Sequence, residues 1–226
     1  MLLGTALNVA AIAGGTLVGL AVKKRLPERI NTIVIQGLGL VTALIGAKMM
    51  ITVENMLTVL VSVVVGGILG ELLNIEARLD AFGAMVEARV TKERGTFARA
   101  FVTSSLLYCV GPMAVLGALQ DGLRGDFTIL LTKSGLDGIA SVAFASTLGI
   151  GVLFSTIPVM VYQGSITIGA SMLEPYLSQS IVNGMTSTGG LLIVGIALNI
   201  LQVAKIKIGN LLPAVLVAAI LSAFVF

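Results

Sequence analysis

The chain opens on LLGTALNVAAIAGGTLVGLAV (Leu2–Val22), a run without a single charge, and then turns basic at Lys23, Lys24, Arg25 and Arg29. At a helical rise of about 1.5 Å per residue, such a run matches the roughly 30 Å hydrocarbon core of a bilayer. A secretory signal carries its positive charge before the apolar stretch and a small-residue cleavage site after it. Here the order is reversed, which predicts an uncleaved helix with its N-terminus outside and its basic flank inside.

The rest of the sequence agrees with that opening. Of 226 residues, 57% are hydrophobic and 11% charged, with a mean hydropathy of +1.06. An ordinary soluble domain carries about 25% charged residues, enough to cover its surface. This chain reads instead as an all-α, polytopic transmembrane helix bundle, a single transmembrane domain over residues 1–226. With no histidine and one cysteine, Cys109, it has no Ser-His-Asp triad, no imidazole-held metal, no H-E-x-x-H site and no intrachain disulfide. It also lacks the Gly-rich phosphate loop of a self-powered ATPase. The expectation is a protein that is not an enzyme, takes no cofactor and binds no nucleic acid.

Further apolar runs follow at Ile33–Thr52 and Met56–Leu73, and then one long polar stretch, about 76–99. Within it Ile75, Leu79, Phe82, Val86 and Val90 recur at three- and four-residue steps, a helical stripe. Two readings stand: an amphipathic helix on the cytoplasmic membrane face, or an extension of the third span packed on its neighbours. The next run, Phe101–Leu119, holds Gly111-Pro112 near its middle, where a kinked or broken helix is expected. A charged turn from Asp121 to Lys133 leads to Leu136–Leu177, whose 42 positions hold Asp137 and Glu174 as their only charges. Two helices meeting near Ile157-Pro158 account for that length, because proline suits the first turn of a helix. The final runs are Gly184–Val203 and Ile208–Phe226.

Charge placement favours about eight spans over seven. Eight puts Lys23, Lys24, Arg25, Arg29, Arg78, Arg89, Lys92, Arg94, Arg99, Lys205 and Lys207 inside, eleven against three, whereas seven gives nine against five. The positive-inside rule prefers the larger asymmetry. There is also an internal echo. Gly39–Met50 resembles Gly190–Leu201, and each is followed by an asparagine-containing turn (Asn55, Asn210) and a Leu/Val-rich run. Eight spans give the two segments opposite orientations, as in the inverted repeats of secondary transporters. Chance likeness among small and aliphatic residues is the other reading.

Several stretches carry a family resemblance. They are Gly4-Thr5-Ala-Leu-Asn8 with Gly14-Gly15 and Lys24 to Glu28, then Cys109-Val-Gly111-Pro112 through Gly122. Lys133-Ser134-Gly-Leu-Asp137-Gly138 and Tyr162-Gln163-Gly164-Ser165 complete the set. In these the chain resembles the YqgA/YdfK-like family of bacterial inner-membrane proteins over essentially its whole length. The resemblance implies a multi-pass protein of the bacterial plasma membrane and supplies no reaction. Two short stretches, Leu136-Asp137-Gly138 and Gly189-Gly190 with the apolar residues after them, are similar to helices of small bacterial manganese exporters; the metal, if one is carried, stays unknown.

Ionisable groups in apolar spans are costly, about 2.5–3.5 kcal/mol each at mid-helix, and so mark function. Asp137 leads, between Gly135 and Gly138, with Lys133 one turn earlier as a partner if the helix starts early enough. The bland reading is an interfacial salt bridge at a helix end. Asp121, with Asp126 in the same outer turn, offers hard oxygen ligands at a vestibule, or simply belongs to a solvated loop. Asn8, Gln163, Asn183 and Asn199 bring amides into apolar runs, either to coordinate an ion or to bond a neighbouring helix. With the Gly111-Pro112 break they form the candidate substrate- or ion-binding set. Two functions compete: a secondary transporter of a small solute or cation through a polar midplane site, or a non-transporting scaffold acting through the 76–99 segment. The expected partners are the bilayer, a small solute or cation, and a second copy of the chain.

Overall fold

The computed structural model describes residues 2–23, 27–51, 53–90, 96–173 and 178–224. Every regular element among them is helical. In order these are α1 (Leu3–Lys23), α2 (Glu28–Met50), α3 (Met56–Leu72), α4 (Ile75–Val90), α5 (Phe97–Cys109), α6 (Pro112–Arg124) and α7 (Thr128–Leu148). They continue with α8 (Gly151–Phe154), α9 (Thr156–Ile168), α10 (Ala170–Leu173), α11 (Gln179–Ile200), α12 (Ile208–Leu211) and α13 (Pro213–Phe224). Lys24, Arg25, Lys92, Arg94 and Glu174, which enter the sequence-based charge placement, lie outside the described residues, as do Thr52 and Phe226 at the ends of their runs.

Five helical stretches are long and apolar enough to cross a membrane: Leu3–Lys23, Thr32–Met50, Thr128–Leu148, Gly151–Ile168 and Gln179–Ile200. Two bent pairs, α3 with α4 and α5 with α6, each turn by 57° at their break and bring the number to seven if each is one span. The eight-span reading needs the shorter apolar stretch Ile208–Phe224 to cross as well. Large side chains such as Leu40, Leu44, Leu57, Leu60, Ile68, Ile139 and Leu216 point outward, as a surface bathed in hydrocarbon requires.

Two expectations about boundaries change. The junction inside Leu136–Leu177 falls at Gly149, not near Ile157-Pro158: α7 ends at Leu148, and Gly149 has φ +89°, a conformation that glycine adopts without a Cβ clash. Pro158 lies in the first turn of α9, where its missing N–H costs nothing. The charged turn from Asp121 to Lys133 also shrinks, to Gly125–Phe127. Asp121 belongs to α6 and Lys133 to α7, because both charges find partners inside the fold and need no water. The α5–α6 break stands where the Gly111-Pro112 pair is, with Gly111 at φ +136°. The 76–99 stretch divides between α4 and the start of α5, with 91–95 outside the described residues.

The chain forms two compact, interleaved units: one takes in the described residues of 1–34 and 83–176, the other those of 35–82 and 177–226. In the first, α1 and α7 run parallel and in close contact. Gly4 meets Leu130, Gly15 meets Gly138 and Ser141, and Gly19 meets Val142 and Ala145; a Cβ on Gly15 would fall on the Gly138 carbonyl oxygen. Small residues let these backbones approach, the usual basis of helix association in lipid. In the same unit Phe97 and Phe154 meet edge-to-face, ring centres 5.0 Å apart.

In the second unit the pairs are antiparallel. Gly39 abuts Leu201 while Gly46 abuts Gly190 and Val194, so α2 and α11 pass in opposite directions. Likewise Gly66 meets Ala214 and Gly70 meets Asn210, setting α3 against α12 and α13. The segments that echo in sequence therefore lie across one another head to tail.

Candidate functional site

Among the described residues only three charged side chains are buried: Asp121, Lys133 and Asp137. All three belong to the first unit. On α7 the four-residue spacing stacks Lys133 and Asp137 on one face. The Lys133 ammonium lies 2.8 and 3.0 Å from the two carboxylate oxygens, and each side chain is 8% exposed. Asp137 is nine residues into a helix that begins at Thr128, about 13 Å along its axis, so this pair does not mark a helix end.

Facing elements complete the group. Asn8 on α1 donates from Nδ2 to Asp137 Oδ2 at 3.1 Å and to Gln163 Oε1 on α9 at 3.4 Å. Asn8 and Gln163 are both 0% exposed. Four of the sequence-predicted residues, Asn8, Lys133, Asp137 and Gln163, thus meet from three helices that are far apart in the chain. Asp121, 1% exposed in the last turn of α6, accepts a hydrogen bond from the backbone N–H of Gly4 at 3.2 Å. This places it beside the N-terminal turn of α1, whose free amides favour an anion. Asp126, by contrast, is exposed in the loop before α7. The hydroxyl and amide of Thr128 beside it hold its carboxyl below the ordinary carboxylate range.

Several buried polar atoms here have no partner: Thr5 Oγ1, Asn8 Oδ1, Gln163 Nε2 and Thr167 Oγ1, with Ser105 Oγ near the α5–α6 break. A buried donor or acceptor left unbonded costs about 1–3 kcal/mol. So many in one unit is a departure from ordinary packing that a bound species would relieve. Below Asp137 the polar face continues: Ser141, one turn further along α7, shares a 2.8 Å hydrogen bond with the buried Tyr108 hydroxyl. Thr5, Thr167, Tyr108 and Ser141 were not among the sequence candidates. Their spacing was the available signal: Thr5 is three residues before Asn8, Thr167 four after Gln163 and Ser141 four after Asp137, each on the same helix face as its polar neighbour.

The other two predicted amides belong to the second unit. Asn199 bonds the backbone of Ile206 twice, accepting from its N–H at 2.8 Å and donating to its carbonyl at 2.7 Å, and so closes the turn after α11. Asn183 donates to Glu54 and accepts from Gln179 at 2.8 Å. Neither joins the group around Asp137. Cys109 ends α5 at the break. No group of three or more His, Cys, Asp or Glu side chains suited to a metal occurs among the described residues.

Comparison with known proteins agrees with this membrane architecture. The sequence pattern of the family described as "Protein of unknown function (DUF554)" matches residues 3–223. The chain belongs to the DUF554 family. It is 32% identical over 219 residues to the "Uncharacterized membrane protein YdfK" of Bacillus subtilis (strain 168), covering 95% of this chain and 93% of that protein. It is 28% identical over 228 residues to the "Uncharacterized protein YqgA" of Escherichia coli (strain K12), covering 99% and 97% respectively. No solved structure matches the chain.

Proposed function

We propose that this protein is a secondary transporter of a small solute or cation, with its binding site at the junction of α1, α6, α7 and α9, and that it performs no covalent chemistry. The observation that carries the reading is the Lys133–Asp137 pair buried in a membrane span together with Asn8 and Gln163, whose remaining amide atoms stay unbonded. Ionisable groups inside membrane helices are expensive and are kept chiefly where they handle ions, protons or polar substrates. Unbonded polar atoms beside them supply the donors and acceptors such a cargo needs. The head-to-tail crossing of the echoing segments in the second unit supports an inverted-repeat organisation, the common architecture of secondary transporters.

The reading includes a bacterial plasma-membrane location, with the N-terminus outside and Lys23 and Arg29 toward the cytoplasm, supported by the basic flank of α1. The test is flux into proteoliposomes across a panel of monovalent cations, divalent cations and small polar solutes, comparing wild type with Asp137→Asn. Uptake of at least one member that the substitution abolishes is expected. A protein that stays folded and yields no flux above empty vesicles for any member would overturn the reading. It would favour the alternative, an assembly partner that works through the exposed face of α4 around Met85.

A further inference from the structure

We propose that Asp121, with the hydroxyls of Thr5 and Thr167, forms a binding site for one small monovalent cation of sodium's class. The site lies one turn of α1 away from the Lys133–Asp137 pair. This deepens the transport reading and rests on it for the cation's role as cargo or coupling ion.

The geometry comes from three helices. The Gly4 amide reaches Asp121, so Thr5, the next residue, stands beside that carboxylate's end of α6. A Cβ on Gly122 would fall on the Thr167 carbonyl oxygen, so α9 comes against α6 at the residue following Asp121. Thr5 lies one turn from Asn8 and Thr167 one turn from Gln163, both on the side of the Asn8–Gln163 contact that leads to Asp121 and Gly122. Thr5 is 0% and Thr167 2% exposed, and neither hydroxyl has a hydrogen-bond partner.

Charge and ligand chemistry then choose the occupant. Lys133 is neutralised by Asp137, whereas Asp121 has one backbone N–H and, among the described residues, no Lys or Arg paired with it. Among the described residues, two buried carboxylates stand against one buried ammonium, one negative charge in excess. A monovalent cation balances it, while a divalent ion would overshoot and lacks the several anionic ligands it draws on. The unbonded atoms are hard oxygen donors, Thr5 Oγ1, Thr167 Oγ1 and Asn8 Oδ1, the ligand type that alkali cations take. Gln163 Nε2 is the exception. Its partner atom Oε1 already accepts from Asn8 Nδ2, so the Gln163 amide orients Asn8 and is not counted among the ligands.

The experiment is thermal unfolding of the detergent-purified full chain with sodium chloride against choline chloride at equal ionic strength. Sodium should raise the midpoint by several degrees, saturably. Asp121→Asn keeps an acceptor for the Gly4 amide and should abolish the shift. Thr5→Val and Thr167→Val should each raise the half-saturating sodium concentration about tenfold, equivalent to ~1.4 kcal/mol. Equal midpoints in sodium and choline for the wild type would overturn the site. A sodium shift that survives in Asp121→Asn would overturn it too. The two proposals fail separately. A sodium shift without flux in proteoliposomes keeps this site and removes transport, whereas Asp137-dependent flux with no sodium shift keeps transport and removes this site.

Discussion

Asn8 in the first unit and Asn199 in the second are both asparagines on apolar helices, yet they are used differently. Asn199 has both ends of its amide bonded to the backbone of Ile206, and the result is a closed turn. Asn8 spends its nitrogen on Asp137 and Gln163 and leaves its oxygen buried and unbonded. The contrast extends across the units. In the second, Asn210 donates to Glu71 and accepts from the Glu76 amide, Glu76 accepts from the Gly209 amide, and Asn55 caps α3. There, the bonded amides and carboxylates sit at helix ends, buried hydroxyls such as those of Thr42, Ser62 and Thr186 bond the carbonyl one turn back in their own helices, and among the described residues Thr188 Oγ1 is the one unbonded buried side-chain atom. In the first unit they sit within helices, carry the only buried charges among the described residues, and are left partly unmatched. Matched groups at turns hold a fold together.

The largest effect should come from the ion pair. Lys133→Ala or Asp137→Ala leaves a buried charge alone and should cost about 3–5 kcal/mol, read by denaturant or thermal unfolding in detergent. The double variant Lys133→Met/Asp137→Leu should recover most of that stability while remaining inactive in flux. A double variant that loses the sum of the two single losses would show that the two charges are not coupled, and the comparison between the units would weaken.

Next in size are the glycine contacts. Gly15→Ala drives a methyl group into the Gly138 backbone and should cost about 1–3 kcal/mol, whereas Gly138→Ala meets Ala11 at 3.3 Å or more and should cost much less. Equal costs at the two positions would contradict the α1–α7 crossing. Gly135, also beside Asp137, has nothing within 4 Å of its Cβ position, so Gly135→Ala should be neutral or slightly stabilising through helix propensity.

Asn199→Ala should lower stability by about 1 kcal/mol and leave any flux unchanged, because its bonds close a turn. If it abolishes flux with stability intact, the second unit also contributes to the site. The smallest effect belongs to Lys207 and Glu71, paired at 2.9 Å but 63% and 57% exposed. Lys207→Ala should shift stability by under about 1 kcal/mol, less still at high salt.

Much of this was legible in the residues. Uncharged runs of about twenty residues announce membrane helices, because hydrocarbon admits no unsatisfied backbone. Gly111-Pro112 marks a helix break because proline lacks the donor and glycine permits the turn. The four-residue step from Lys133 to Asp137 predicts a pair on one helix face. Charges mislead where they are compensated from afar: Asp121 reads as part of a solvated turn because its partner, the Gly4 amide, is 117 residues away in sequence. The same limit hides the split between the asparagines, since Asn8, Asn183 and Asn199 look alike in their apolar runs. Composition and periodicity act through local physics, the length of a span and the face of a helix, and by themselves determined a membrane helix bundle with ionisable residues inside it. Which helices run parallel, which amides are bonded and which carboxylate caps a distant helix depend on contacts between segments far apart in the chain. The tertiary structure alone decided them, by bringing α1, α6, α7 and α9 to one polar junction.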